Sequence, residues 1–172
     1  MSVSVEIVPA HGPEQVAIAR QLLREYAAAI GVDLEYQGFS NELAALPSPY
    51  APPHGALLVA RVGNDVAGCV ALRRLDDNAG EMKRLYVRPA FRGLGIAERL
   101  IASIVGAARD AGYCELRLDT LADMLSAQSL YRKLGFVEIS PYNDAHLPGT
   151  RFYMLRLTRV PEPPAAPRNE EA

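Results

Sequence analysis

The stretch "LYVRPAFRGLGIAERLI", Leu85–Ile101, decides how the rest of the chain is read. A strand-like Leu-Tyr-Val runs into Pro89, then Gly93 and Gly95 with one residue between them, then apolar residues at helical spacing. Glycine weakens a helix relative to alanine, so two of them at a helix start need a reason. Where a strand ends and a helix begins, several backbone N–H groups have no partner and the positive end of the helix dipole is exposed. Phosphates bind at such ends. Glycine removes the Cβ that would keep a pyrophosphate away from those amides.

Upstream of this junction, "GALLVARV" (Gly55–Val62), the turn "GND" and "VAGCVALRRL" (Val66–Leu75) read as strand, tight turn and strand. A further strand over Glu81–Arg88 completes an antiparallel meander. Earlier still, Ser2–Val8 alternates as a strand, and Val16, Ala19, Leu22, Leu23, Tyr26, Ala27 and Ile30 form the apolar stripe of a helix. Pro13 opens that helix and Gly31 closes it. A shorter helix over Ser40–Leu46 stops at "PSPYAPP", a stiff connection rather than a domain boundary.

Downstream, a helix is predicted over Gly93–Ala111, then a strand "YCELRLDT", a helix over Asp123–Leu134, a strand "FVEIS" and a last strand "RFYMLRLT". Strand, helix and strand in succession predict a parallel pair joined by a right-handed crossover. The expected fold class is α/β, a mixed, mainly antiparallel twisted sheet flanked by helices. Residues 1–159 are expected to form one domain. Residues 160–172 lack core side chains and are expected to be a disordered tail.

With 49% apolar and 22% charged residues and a formal net charge of −2, the 172-residue chain offers no electrostatic reason for a nucleic-acid or anionic-membrane partner. Cys69 and Cys114 lie in strand-like runs without metal-ligand spacing and read as buried, reduced thiols. No metal site is expected, and the absence of a basic, apolar leader at Met1 points to the cytoplasm.

Elimination narrows the phosphate ligand. A P-loop needs Gly-Lys-Ser/Thr, but Ile96 and Ala97 follow Gly95; a dinucleotide fingerprint needs a third glycine where Glu98 stands. What remains is Arg92-Gly93-Leu94-Gly95-Ile96-Ala97, directly after "LYVRP". This resembles the acyl-CoA pyrophosphate loop of the GNAT superfamily of N-acyltransferases, of the bacterial small-molecule or protein acetyltransferase type. "AQSLYRKLGF", Ala127–Phe136, is similar to that family's second signature, and the two stand in the family's order and spacing.

The resemblance implies an N-acetyltransferase that moves the acetyl group of acetyl-CoA to an amine by direct attack in a ternary complex. It implies that the main chain of Leu85, Tyr86 and Val87 pairs with the pantetheine arm, and that Arg92, Gly93, Leu94, Gly95, Ile96, Ala97 and Glu98 hold the pyrophosphate. Tyr131 matches the family's tyrosine, the expected general acid toward the CoA sulfur; a plain core tyrosine is the alternative.

An alkylamine with a pKa of about 10 must lose a proton before it attacks, which asks for a base. Glu81 and Asp119 both occupy strand positions where the family places a carboxylate; each has a structural alternative, and water alone or another residue is also open. One departure stands out: Met124 replaces the asparagine that many members carry seven residues before the tyrosine. His11 and His146 read as exposed loop residues, and His54, Tyr142, Asn143 and the segment Leu34–Tyr50 are candidates for shaping the acceptor pocket. A CoA-binding regulatory module without turnover and an acyltransferase for longer acyl groups are the rival readings. The family leaves a homodimer open.

Overall fold

The computed structural model describes residues 3–158; the tail expected over 160–172 lies outside the described residues. In chain order the elements are β1 (Val5–Pro9), α1 (Gly12–Ile30), α2 (Phe39–Ala45), β2 (Ala56–Val62), β3 (Asp65–Arg74) and β4 (Ala79–Val87). There follow α3 (Ile96–Asp110), β5 (Glu115–Thr120), α4 (Leu125–Lys133), β6 (Val137–Ile139) and β7 (Arg151–Arg156). Single 3-10 turns at Leu34–Gln37 and Pro89–Phe91 precede α2 and α3.

The strands form one sheet in the order β1-β2-β3-β4-β5-β7-β6. The expected meander is present, β2 to β3 to β4 being antiparallel throughout. The parallel crossover falls between β4 and β5, with α3 as the connecting helix. The sheet is therefore mainly antiparallel, as the sequence predicts.

Period-two alternation decides which face each strand residue serves. Leu57 and Val59 of β2 meet Ala19, Leu22 and Leu23 of α1, whereas Leu58 and Ala60 join Leu100, Ile101 and Ile104 of α3. Each of the buried Leu, Ile and Val side chains among them stabilises the fold by roughly 1.5–3 kcal/mol. Two half-cores, one per face, hold the sheet between the helices.

Several boundaries shift for identifiable reasons. α3 begins at Ile96 rather than Gly93, because Gly93 and Gly95 take left-handed φ values of 81° and 73° that no right-handed helix accommodates. α4 begins at Leu125 rather than Asp123, with Met124 as an N-cap that offers no side-chain oxygen. β1 starts at Val5 rather than Ser2, and α2 covers Phe39–Ala45 rather than Ser40–Leu46.

One irregularity shapes the centre of the molecule. Cys69 pairs with Tyr86 and Ala71 with Lys83, so a single residue of β3 faces both Arg84 and Leu85 of β4. The extra residue is a bulge, and Arg84 takes a left-handed φ of 60° to make it. A bulge bends its strand and increases the local twist. The ladder between β4 and β5 has already ended before the bulge, covering only Ala79–Glu81 against Glu115–Arg117.

Candidate active site

The site follows from that parting. From Met82 onward the edge of β4 that faces β5 carries no ladder, so its main-chain groups are open to a ligand, apart from the Val87 carbonyl, which accepts from Arg92. At the inner end of the gap, Met82, Leu85, Asp119, Thr120, Met124 and Tyr131 line one cleft. It continues into a channel between Leu85, Tyr86, Val87 and Arg92 on one wall and, on the other, the cap residue Met124 with Ala127 and Leu130 of α4. The channel opens beside a shallow pocket formed by Val87, Gly93, Gly95, Ala97 and Glu98.

The glycine turn is explained by backbone rather than packing. A Cβ built on Gly93 or Gly95 meets no atom within 4 Å, so space inside the protein does not exclude a side chain. The left-handed φ does, at about 1–2 kcal/mol per residue, and the room above the first amides of α3 stays clear. A pyrophosphate suits that room. Arg92 donates from Nε to the Val87 carbonyl at 3.1 Å, tying the turn to the end of β4. Ile96 is buried, leaving only its amide for a ligand, and Glu98 pairs with Lys133 of α4 at 3.0 Å. Leu94 projects outward, 45% exposed, and lines neither the channel nor the pocket.

Tyr131 sits at the inner end of the gap, its ring packed against Phe136 and Tyr153 at centroid distances of 5.7 and 6.0 Å. Burial pushes its phenol well above the ordinary value, and the neighbouring Tyr26 and the Asp119 carboxylate add to the shift. The hydroxyl therefore holds its proton at neutral pH, the state a proton donor needs.

The two carboxylates expected as bases meet different fates. Asp119 lines the cleft, and its charge also raises the phenols of Tyr26 and Tyr36, after burial as the larger cause. Among the described residues, none of the ion pairs includes it. Glu81 is 1% exposed and does not line the cleft. It accepts from Arg73 Nε at 2.7 Å and from the Tyr142 hydroxyl, with Lys83 Nζ at 3.7 Å. Burial alone would raise its carboxyl, but the Lys83 and Arg73 charges and these hydrogen bonds outweigh it and hold the group below the ordinary carboxylate value.

Arg84 and Tyr26 are site residues that the sequence gives no reason to single out. Arg84 is 4% exposed, donates to Glu42 at 2.9 and 3.1 Å and to Gln37 at 2.9 Å, and lies over the Tyr26 and Phe39 rings. Burial works against its charge, and the Glu42 contacts more than offset that. The pair pins the bulge to α2. Tyr26 reads in the sequence as part of the α1 core stripe, yet it lines both the cleft and the channel. Tyr36 and Gln37 of the expected acceptor segment also line the cleft, whereas His54 lies outside it with its carbonyl bonded by Tyr113.

A profile of the Acetyltransferase (GNAT) family matches residues 18–136. The chain belongs to the GNAT acetyltransferase family. It is 37% identical over 149 residues to an uncharacterized N-acetyltransferase of Schizosaccharomyces pombe, covering 86% of this chain and 91% of that one. That relative is eukaryotic, so the match supports the family and not the bacterial type expected from the sequence. The GNAT fold is shown by a Staphylococcus aureus acetyltransferase of the family, with a TM-score of 0.74 at 22% identity over 90% of this chain and 100% of that one. It is shown again by an Elizabethkingia anophelis GNAT acetyltransferase solved with acetyl-CoA bound, with a TM-score of 0.63 at 20% identity over 91% and 99% of the two chains. The protein is an acyl-CoA-dependent acetyltransferase. Among the described residues, no cluster of three His, Cys, Asp or Glu side chains forms a metal cage, and no helix is long and apolar enough to cross a membrane.

Proposed function

We propose that the single domain expected over residues 1–159 transfers the acetyl group of acetyl-CoA to a primary amine, with donor and acceptor held together in the gap between β4 and β5. The observation that carries this reading is the gap itself: one opening leads to the glycine turn, and Tyr131 and Asp119 line its inner end.

In this reading the free edge of Leu85–Val87 orients the pantetheine arm by main-chain hydrogen bonds. The first amides of α3 and Arg92 hold the pyrophosphate. Backbone donors on β4 are positioned to stabilise negative charge on the thioester oxygen. Asp119 accepts the proton that the ammonium must lose, directly or through a water, and Tyr131 supplies one to the departing thiolate sulfur. Glu81, already saturated by Arg73 and Tyr142, serves the scaffold. Met124 lines both cleft and channel and offers no polar group there; that single feature favours the rival reading, CoA binding without turnover. We place the reaction in a reducing cytoplasm, where Cys69 and Cys114, both free, stay as thiols.

The test is thiol release from acetyl-CoA with a panel of amines, amino acids and peptide N-termini, run for wild type and for Asp119→Asn. Turnover with one acceptor class, and a loss of about 10²-fold or more in the variant, supports the reading. Tight CoA binding by calorimetry with no turnover for any panel member moves the regulatory module ahead. Faster release from longer acyl-CoA donors would point to a different acyl group.

A further inference from the structure

Lys83 is the residue of the gap that acetyl transfer leaves without a task. Glu81 is the last β4 residue in register with β5, opposite Arg117. Two residues further along each strand, alternation brings Lys83 and Asp119 to the same face and the same level, on opposite banks of the gap. Both line the cleft. Although their charges are opposite, no ion pair joins them among the described residues.

The Lys83 side chain is only 10% exposed. Its one charged contact is Glu81 at 3.7 Å, beyond hydrogen-bond reach, and that carboxylate is already engaged by Arg73 and Tyr142. Two cations thus share one anion, and the Lys83 ammonium, with three donors, makes no hydrogen bond to the described residues. Arg84, the other cation of the cleft, is neutralised by Glu42. The gap therefore presents one unbalanced positive group on β4 and one unbalanced negative group on β5. Thr120 and Thr150, in the wall of the same cleft, add two buried hydroxyl oxygens without partners.

We propose, building on the transfer reading above, that the acceptor is an α-amino acid, its carboxylate held by Lys83 while its amine faces Asp119. A compact zwitterion satisfies both unbalanced groups at once. A polyamine would bring a second cation against Lys83, and a simple alkylamine would bring no carboxylate to its ammonium. A site built around a charged hydrogen bond rejects an analogue lacking the partner far more strongly than an apolar pocket rejects a missing methylene.

The experiment measures kcat/KM for thiol release from acetyl-CoA with each of the common α-amino acids beside its α-amide and its decarboxylated amine. The best amino acid is expected to exceed both of its analogues by about tenfold or more. Lys83→Met is expected to bring that ratio close to one through a higher KM for the acid, and Lys83→Arg to keep part of it. The wild-type comparison stands even if Lys83→Met fails to fold. Amides or plain amines that match the amino acids in wild type overturn the carboxylate subsite and leave the transferase reading intact. No thiol release from any amine together with no CoA binding by calorimetry sinks the transfer reading and this proposal with it.

Discussion

Two neighbouring stretches of β4 live under different rules. Gly80 and Glu81 are paired on both sides, with β3 and with β5. Met82–Val87 keeps only β3, and even that ladder is interrupted by the Arg84–Leu85 bulge. In the first stretch the strand is paired across both ladders, and the Glu81 carboxylate is enclosed by Arg73, Lys83 and Tyr142. In the second, main-chain groups face an open gap. The candidate chemistry lies where the sheet is incomplete, and a carboxylate three residues from the bulge reads as scaffold because the sheet there is whole.

The largest expected effect breaks the open half at its inner end. Tyr131→Phe removes the proton donor and little volume, so kcat should fall by about 10²–10⁴-fold while CoA affinity by calorimetry stays within about twofold. An unchanged kcat would return Tyr131 to the core cluster it shares with Phe136 and Tyr153.

Next comes the anchor of the bulge. Arg84→Met leaves Glu42 buried without its cation, and breaking such a pair costs about 3–5 kcal/mol. Chemical denaturation should show a lower midpoint of that size. A loss below about 1 kcal/mol would mean that the bulge holds its shape without the pair.

At the outer end of the gap, Gly95→Val forces a β-branched side chain into a left-handed conformation over the pyrophosphate seat. CoA should bind about tenfold more weakly, from a strain of about 1–2 kcal/mol. Unchanged affinity would place the pyrophosphate elsewhere.

The smallest effect on turnover belongs to the closed half. Glu81→Gln should leave kcat within about fivefold, because the carboxylate does not line the cleft, whereas a catalytic base would cost about 10²-fold or more. Its role should appear in stability instead. The folded Glu81 carboxyl lies below its ordinary value, so its contribution is present above the unfolded pKa of about 4.3 and is lost as pH falls through the lower folded one. Acid unfolding curves of wild type and Glu81→Gln should therefore converge at low pH.

The route from residues to fold was legible where local chemistry repeats a pattern. Alternation announced the meander, and Gly93 and Gly95 announced the turn, since only glycine takes those φ values cheaply. Tyr131 was legible through its neighbours in "AQSLYRKLGF". The bulge was not. "MKRLYV" alternates no differently from an ordinary strand, and the left-handed Arg84 is held by Glu42 and Gln37, more than forty residues away in the chain. Its partner choice, the parting of β4 from β5 and the two-faced role of Tyr26 are tertiary facts. For the same reason Glu81 and Asp119 look alike in one dimension, and only their surroundings separate them.

The most direct measurement is backbone hydrogen exchange along β4 with and without CoA. CoA is expected to slow exchange in Leu85–Val87 and Gly93–Glu98 by about tenfold or more and to leave Ala79–Glu81 unchanged. Equal protection of both halves of β4, or protection confined to other segments, would contradict the claim that the unpaired stretch is where the ligand binds.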